Sequence, residues 1–140
     1  MKKLLVFCMM VCLSSGAFAV PAVVDYIFDG DTFSGQVMLA DDIEITVRVR
    51  LINIDTPEMN GRCQAEKIMA QNAKDLLATL LPRGTVVDLQ NIKDDKYLGR
   101  INANVILPDG RDLGEIMIDS GLARPYRGGK RAGWCEKNKL

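Results

Sequence analysis

From Ile43 to Leu51 the chain alternates strictly: Ile43, Ile45, Val47, Val49 and Leu51 are apolar, while Glu44, Thr46, Arg48 and Arg50 are not. A period of two predicts a strand over 43–52 with one buried face. Arg100 to Leu107 repeats the pattern through Ile101, Ala103, Val105 and Leu107. Three further runs rich in β-formers, Ala22–Phe28, Thr32–Leu39 and Thr85–Ile92, read as strands. Turn signals separate them at Asp29-Gly30-Asp31 and Ala40-Asp41-Asp42, and Asn53 to Pro57 ends the best strand in a loop. Over 63–81 the period changes. Ala65, Ile68, Met69, Ala73, Leu76, Leu77 and Leu80 recur at three- and four-residue steps, which predicts an amphipathic helix stopped by Pro82-Arg83-Gly84. Asp112 and Glu115 have the spacing of a capping box for a short helix that Gly121 closes. Five strands, one long helix after the third and one small helix predict a compact α+β barrel, mainly β.

Composition narrows the chemistry. The 140 residues suffice for one domain, and 48% apolar content is ample for a core. The chain has no histidine, which excludes a Ser-His-Asp triad, a Cys-His protease, a His-Glu-x-x-His zinc site and any histidine base. Lys2 and Lys3 precede the apolar run Leu4–Leu13 and the small-x-small triplet Ala17-Phe18-Ala19. That order is expected of a secretory signal peptide, residues 1–19, cleaved after Ala19, and the run is too short for a membrane span. Removal of this segment leaves 16 basic and 18 acidic groups, with Cys63 and Cys135 as the remaining cysteines. Two cysteines in an exported chain predict one disulfide; without histidine or a second pair they make a poor zinc site. Charge is also uneven. Residues 121–140 hold six basic groups and one acidic, against ten and seventeen over 20–120.

Three segments at strand–turn junctions concentrate reactive groups: Asp29-Gly30-Asp31-Thr32, Arg50 to Glu58, and Asp95-Lys96-Tyr97-Leu98-Gly99-Arg100. Singly, each reads as well as a turn, a surface charge or a plain loop. Together they point at phosphate. Carboxylates such as Asp31 and Asp55 suit a hard cation, Ca²⁺ or Mg²⁺. Arginine grips phosphate oxygens through paired hydrogen bonds and stays charged. One further carboxylate, Glu58, has the chemistry to orient or deprotonate an attacking water. Such a site needs no histidine.

The motifs D-G-D-T, R-L-x-x-I-D-T-P-E and D-K-Y-x-G-R, in this order from about Val23 to Arg124, resemble the staphylococcal (micrococcal) nuclease family, also called thermonucleases. The resemblance implies a five-stranded OB-fold barrel with two to three helices over residues 20–140. It implies a calcium-dependent endonuclease cutting DNA, RNA or both to leave 3′-phosphate ends. Asp31 and Asp55, with the Thr56 carbonyl, would hold Ca²⁺; Glu58 would be the general base; Arg50 and Arg100 would hold the scissile phosphate. Asp29 would act behind the ligands at most. Lys96, Tyr97 and Tyr126 are further substrate-binding candidates. Leu98 makes the third motif one residue longer than the family's K-Y-G-R, so a bulge or shifted turn must restore Arg100. In place of the family's long C-terminal helix stands a basic tail ending in Trp134-Cys135, expected to be pinned to Cys63.

Two other classes fit part of the sequence. A non-catalytic OB-type nucleic-acid-binding module would not need the full acidic–arginine set, and a calcium-binding structural domain would leave Arg50 and Arg100 unused. A nucleic-acid substrate, no stable protein partner, no membrane contact after cleavage and a monomer in the periplasm or the medium complete the expectation.

Overall fold

The computed structural model describes residues 18–135. The expected signal peptide falls almost wholly outside them, as does the chain end beyond Cys135. Seven strands and two helices follow in order: β1 Val20–Ile27, β2 Thr32–Ala40, β3 Ile43–Leu51, β4 Ile54–Asp55, α1 Gln64–Leu80, β5 Val86–Asp94, β6 Arg100–Ile106, α2 Leu113–Asp119 and β7 Arg124–Pro125. Five of the strands close into a barrel in the order β1-β2-β3-β6-β5, and β4 pairs with β7 in a separate two-stranded sheet. All barrel pairs are antiparallel except β3 with β6, which run parallel. This is the mainly β barrel with helices that the pattern of elements predicts, and of the OB type that the family resemblance implies.

Alternation puts Phe33, Val49, Leu51, Val87, Leu89, Ala103 and Val105 inside. On β1 the inward set is Ala22, Val24 and Ile27; the three-residue step follows a register shift between Val24 and Tyr26, a bulge that turns the strand. Leu77 and Leu81 from the long helix, and Leu113 and Met117 from the short one, complete the core.

Two expectations about burial need correction. On β3 only the C-terminal half faces the interior, and Ile43 is 54% exposed with Ile45 also at the surface. The β2–β3 hairpin extends past the barrel, so its apolar positions stay exposed among the described residues. On α1 the buried residues are Glu66, Ala70, Ala73 and Leu77, whereas Ala65 and Ile68 are exposed. Ala73 and Leu77 belong to both sets, so the packed face is turned from the expected one by less than one residue step. Gly30 explains part of this. A Cβ there would lie 2.6 Å from that of Ala73, so small residues on both sides bring the helix against the β1–β2 turn. Within the expected loop after β3, Ile54 and Asp55 instead form β4, matched to Pro125 and Arg124.

A candidate arginine–carboxylate active site

Period two sets the outward arginines. Arg48 and Arg50 alternate with the buried Val49 and Leu51, and in the parallel β3–β6 register they lie beside Arg100 and Asn102. Arg48 stands over the Phe28 ring at 4.5 Å. Arg50 donates from Nη2 to Asp31 Oδ2 at 3.2 Å and reaches the carbonyls of Leu51 and Ile54 at 3.4 Å each.

The β1–β2 turn carries Asp31. The N–H of Asp31 donates to the Asp29 carboxylate at 3.1 Å, so Asp29 shapes the turn from behind. Asp31 itself is buried and also accepts from the Thr32 hydroxyl at 2.8 Å. Desolvation pushes its carboxyl from 3.8 up to about 6, with Asp29 adding to the rise and Arg50 opposing it.

In the β5–β6 turn the extra Leu98 projects fully into solvent. The Arg100 N–H donates to the Tyr97 carbonyl at 3.2 Å and Gly99 takes a φ of 76°, so a shifted turn absorbs the added residue. A second adjustment, between Gln90 and Lys93 where Asn91 has a φ of 51°, corrects the β5 register. Arg100 lines the same cleft as Arg50. Its Nη2 donates to Asp95 Oδ1 at 3.1 Å, and its Cζ lies 4.4 Å from the Tyr97 ring centre. Desolvation works to raise Asp95, but hydrogen bonds from Arg100, the Tyr97 N–H and Asn102 hold it below the ordinary carboxylate range. Lys96 lies 5.0 Å from the same ring.

One open cleft of about 730 Å³ gathers Asp31, Arg50, Thr56, Glu58, Lys96, Tyr97, Arg100 and Tyr126. Asp55 does not line it. At 1% exposed, Asp55 sits behind, on an adjoining pocket of about 360 Å³ that it shares with Glu58. Its Oδ2 accepts from Arg124 Nε at 3.0 Å, Arg124 Nη2 at 2.8 Å and Trp134 Nε1 at 3.1 Å. Arg131 donates to Oδ1 of Asp55 and to Oε1 of Glu58. Arg124 also stands over the Trp134 ring at 4.1 Å and donates to the carbonyls of Ala132 and Gly133. The Cys63–Cys135 disulfide, with Cα atoms 6.0 Å apart, fastens the end of this segment beside α1.

The three oxygens expected to hold a cation, two carboxylates and the Thr56 carbonyl, are hard donors without sulfur or nitrogen. They fit Ca²⁺ in kind, and the desolvated Asp31 fits it in charge. Both carboxylates are already engaged: Thr32 and Arg50 hold the two oxygens of Asp31, and Arg124, Trp134 and Arg131 hold those of Asp55. Among the described residues no three acidic side chains converge within 4.8 Å; the group that does is Cys63, Cys135 and Glu66, whose cysteines are disulfide-bonded.

Sequence reasoning missed Arg124, Arg131 and Trp134 as partners of the site, along with Glu66. The last is buried on α1 and accepts from the N–H groups of Arg62 at 3.0 Å and Glu58 at 3.3 Å, pinning the loop that carries Glu58. A glutamate three residues after the helix-capping position was the available signal.

A closed five-stranded barrel with a cleft lined by arginines and carboxylates defines the class: an OB-type domain. Its lineage is specific. The profile described as "Staphylococcal nuclease homologue" matches residues 48–139, and the chain belongs to that family. Two relatives named "Uncharacterized endonuclease", from Escherichia coli and Escherichia coli O157:H7, are 33% and 32% identical over 100 residues. Each alignment covers 71% of this chain, and the chain spans 57% of the length of these curated relatives. Asp31 lies before the profile match.

Proposed function

We propose that this chain is a calcium-dependent endonuclease, a phosphodiesterase that hydrolyses DNA, RNA or both and leaves 3′-phosphate ends. The observation that carries the reading is the convergence of Arg50, Arg100 and Glu58 on one cleft, with Asp31 beside them. Arg50 is braced by Asp31 and two carbonyls, and Arg100 by Asp95 and Tyr97. Both guanidinium groups are therefore held before substrate arrives, the condition under which fixed charge lowers a barrier. They grip the non-bridging oxygens of the scissile phosphate and neutralise the charge that builds on them. Glu58, exposed at the cleft and fixed through its backbone by Glu66, accepts the proton of the attacking water. Asp31, Asp55 and the Thr56 carbonyl would hold the cation, which supplies positive charge at the phosphoryl group when bound. Lys96, Tyr97 and Tyr126 offer phosphate and stacking contacts to the flanking nucleotides.

The same reading has residues 1–19 removed on export and a monomer acting in the periplasm or the medium; the Cys63–Cys135 disulfide supports an oxidising compartment. The test is digestion of single-stranded DNA and RNA with Ca²⁺ and with chelator. Cleavage should require the cation. Glu58→Gln should lower kcat roughly a hundred- to ten-thousand-fold, and Arg50→Lys should also be severe because the paired contact is lost. Binding of oligonucleotide without cleavage under any metal would instead identify a non-catalytic binding module.

A further inference from the structure

The tail from Arg131 to Cys135 crosses the site rather than trailing from it. Oδ2 of Asp55 is saturated by Arg124 and Trp134, so Oδ1 is the oxygen left for a cation. Arg131 occupies that oxygen through Nε and Nη2, and its Nη1 takes the Glu58 carboxylate. Among the described residues Arg131 is the only polar partner of that carboxylate. Two arginines against Asp55 and Glu58 make a neutral set that is complete without a metal. The segment is fixed at three points: the Arg124 bonds to the carbonyls of Ala132 and Gly133, the Trp134 ring over Arg124, and the disulfide to Cys63.

We infer that the 131–135 segment is a disulfide-fastened strap whose Arg131 is an internal counter-ion, competing with the cation for Asp55 and positioning Glu58 when no cation is bound. The inference rests on the cation reading given above. A guanidinium and a divalent cation repel one another, and one carboxylate oxygen cannot serve both at full strength. Cation binding must therefore move Arg131, and anything that loosens the strap favours the cation. The cation site and the tail are in this way one linked equilibrium.

Trp134 is the single tryptophan of the chain and donates to Asp55, so its fluorescence reports on this carboxylate. Ca²⁺ is titrated into the full chain, followed by that fluorescence and by calorimetry, for the wild type, Arg131→Gln, Arg131→Lys and the double variant Cys63→Ser/Cys135→Ser. Serine keeps a helix-capping oxygen at position 63, where the cysteine sulfur now accepts from the Glu66 N–H. Arg131→Gln should bind Ca²⁺ at least about tenfold more tightly, since one positive charge is gone from beside the site. Arg131→Lys keeps the charge but loses the forked contact to Asp55 and Glu58, so its affinity should lie between those of the wild type and Arg131→Gln. The double serine variant should shift in the same direction as Arg131→Gln, by less. Equal or weaker affinity in Arg131→Gln, or like behaviour of the Gln and Lys variants, overturns the strap while leaving the cation site standing. Absence of Ca²⁺ binding in every protein overturns the cation reading and the competition with it.

Discussion

The Arg100 guanidinium is held by a single carboxylate. Asp95 accepts from Nη2, and Nε lies 3.0 Å from its second oxygen, although without hydrogen-bond geometry. Asp95 thus works as a positioning residue. Asp95→Asn should lower kcat about tenfold to a hundredfold, because a small misplacement of a charged group costs that much. It has a second signature in acid. The folded pKa of Asp95 lies below its unfolded value, so the stabilisation is present above pH about 4 and is lost as the pH falls through the folded value. Urea midpoints of wild type and Asp95→Asn should therefore differ at pH 7 and draw together below pH about 4; a constant gap would refute the assignment. The nearness of Asp95 to Arg100 was legible, since they share one short motif, but the role of Asp95 was not. Nor were Arg124 and Arg131. Their carboxylate partner Asp55 lies 69 and 76 residues away, and only folding brings them together.

Element by element, strand alternation gave the barrel and the outward arginines, because period two fixes faces whatever the neighbours are. What alternation cannot give is where a strand leaves the barrel, hence the exposed Ile43 and Ile45. The helix shows a different limit. Hydrophobicity drew the buried face through Ala65 and Ile68 as well as Ala73 and Leu77, yet packing kept only the latter two and added Glu66 and Ala70. Two local needs decide it: Ala73 must meet Gly30 closely, and the loop before α1 needs an acceptor. Glu66 meets the second need. Removing it leaves the N–H groups of Glu58 and Arg62 without that partner, at a cost of roughly 1–3 kcal/mol. Glu66→Ala should lose about this much stability in urea unfolding and also lower kcat, since the loop presenting Glu58 is released. Full stability in the variant would show that the buried carboxylate pins nothing.

At the scale of the molecule, charge is segregated into an acidic body and a basic tail, as the sequence shows. The fold changes what the tail is for. Arg124 and Arg131 are taken up by Asp55 and Glu58, whereas Arg127 and Lys130 form no ion pair among the described residues. Arg127 lines a second groove of about 690 Å³ with Lys93, and that groove meets the cleft at Arg50, Asn102 and Tyr126. A single strand following both grooves would set one phosphate against Arg50 and Arg100, with others near Lys96, Lys93 and Arg127. About four neutralised phosphates give a slope of roughly −3 for log affinity against log salt on a single strand. Measured by anisotropy with the Glu58→Gln variant, which keeps the oligonucleotide intact, binding should fall with that slope. Adding Arg127→Ala should make it shallower by about 0.7, the share of one phosphate. If the slope is near zero, or Arg127→Ala leaves it unchanged, the second groove does not carry the strand and the tail serves the carboxylates alone.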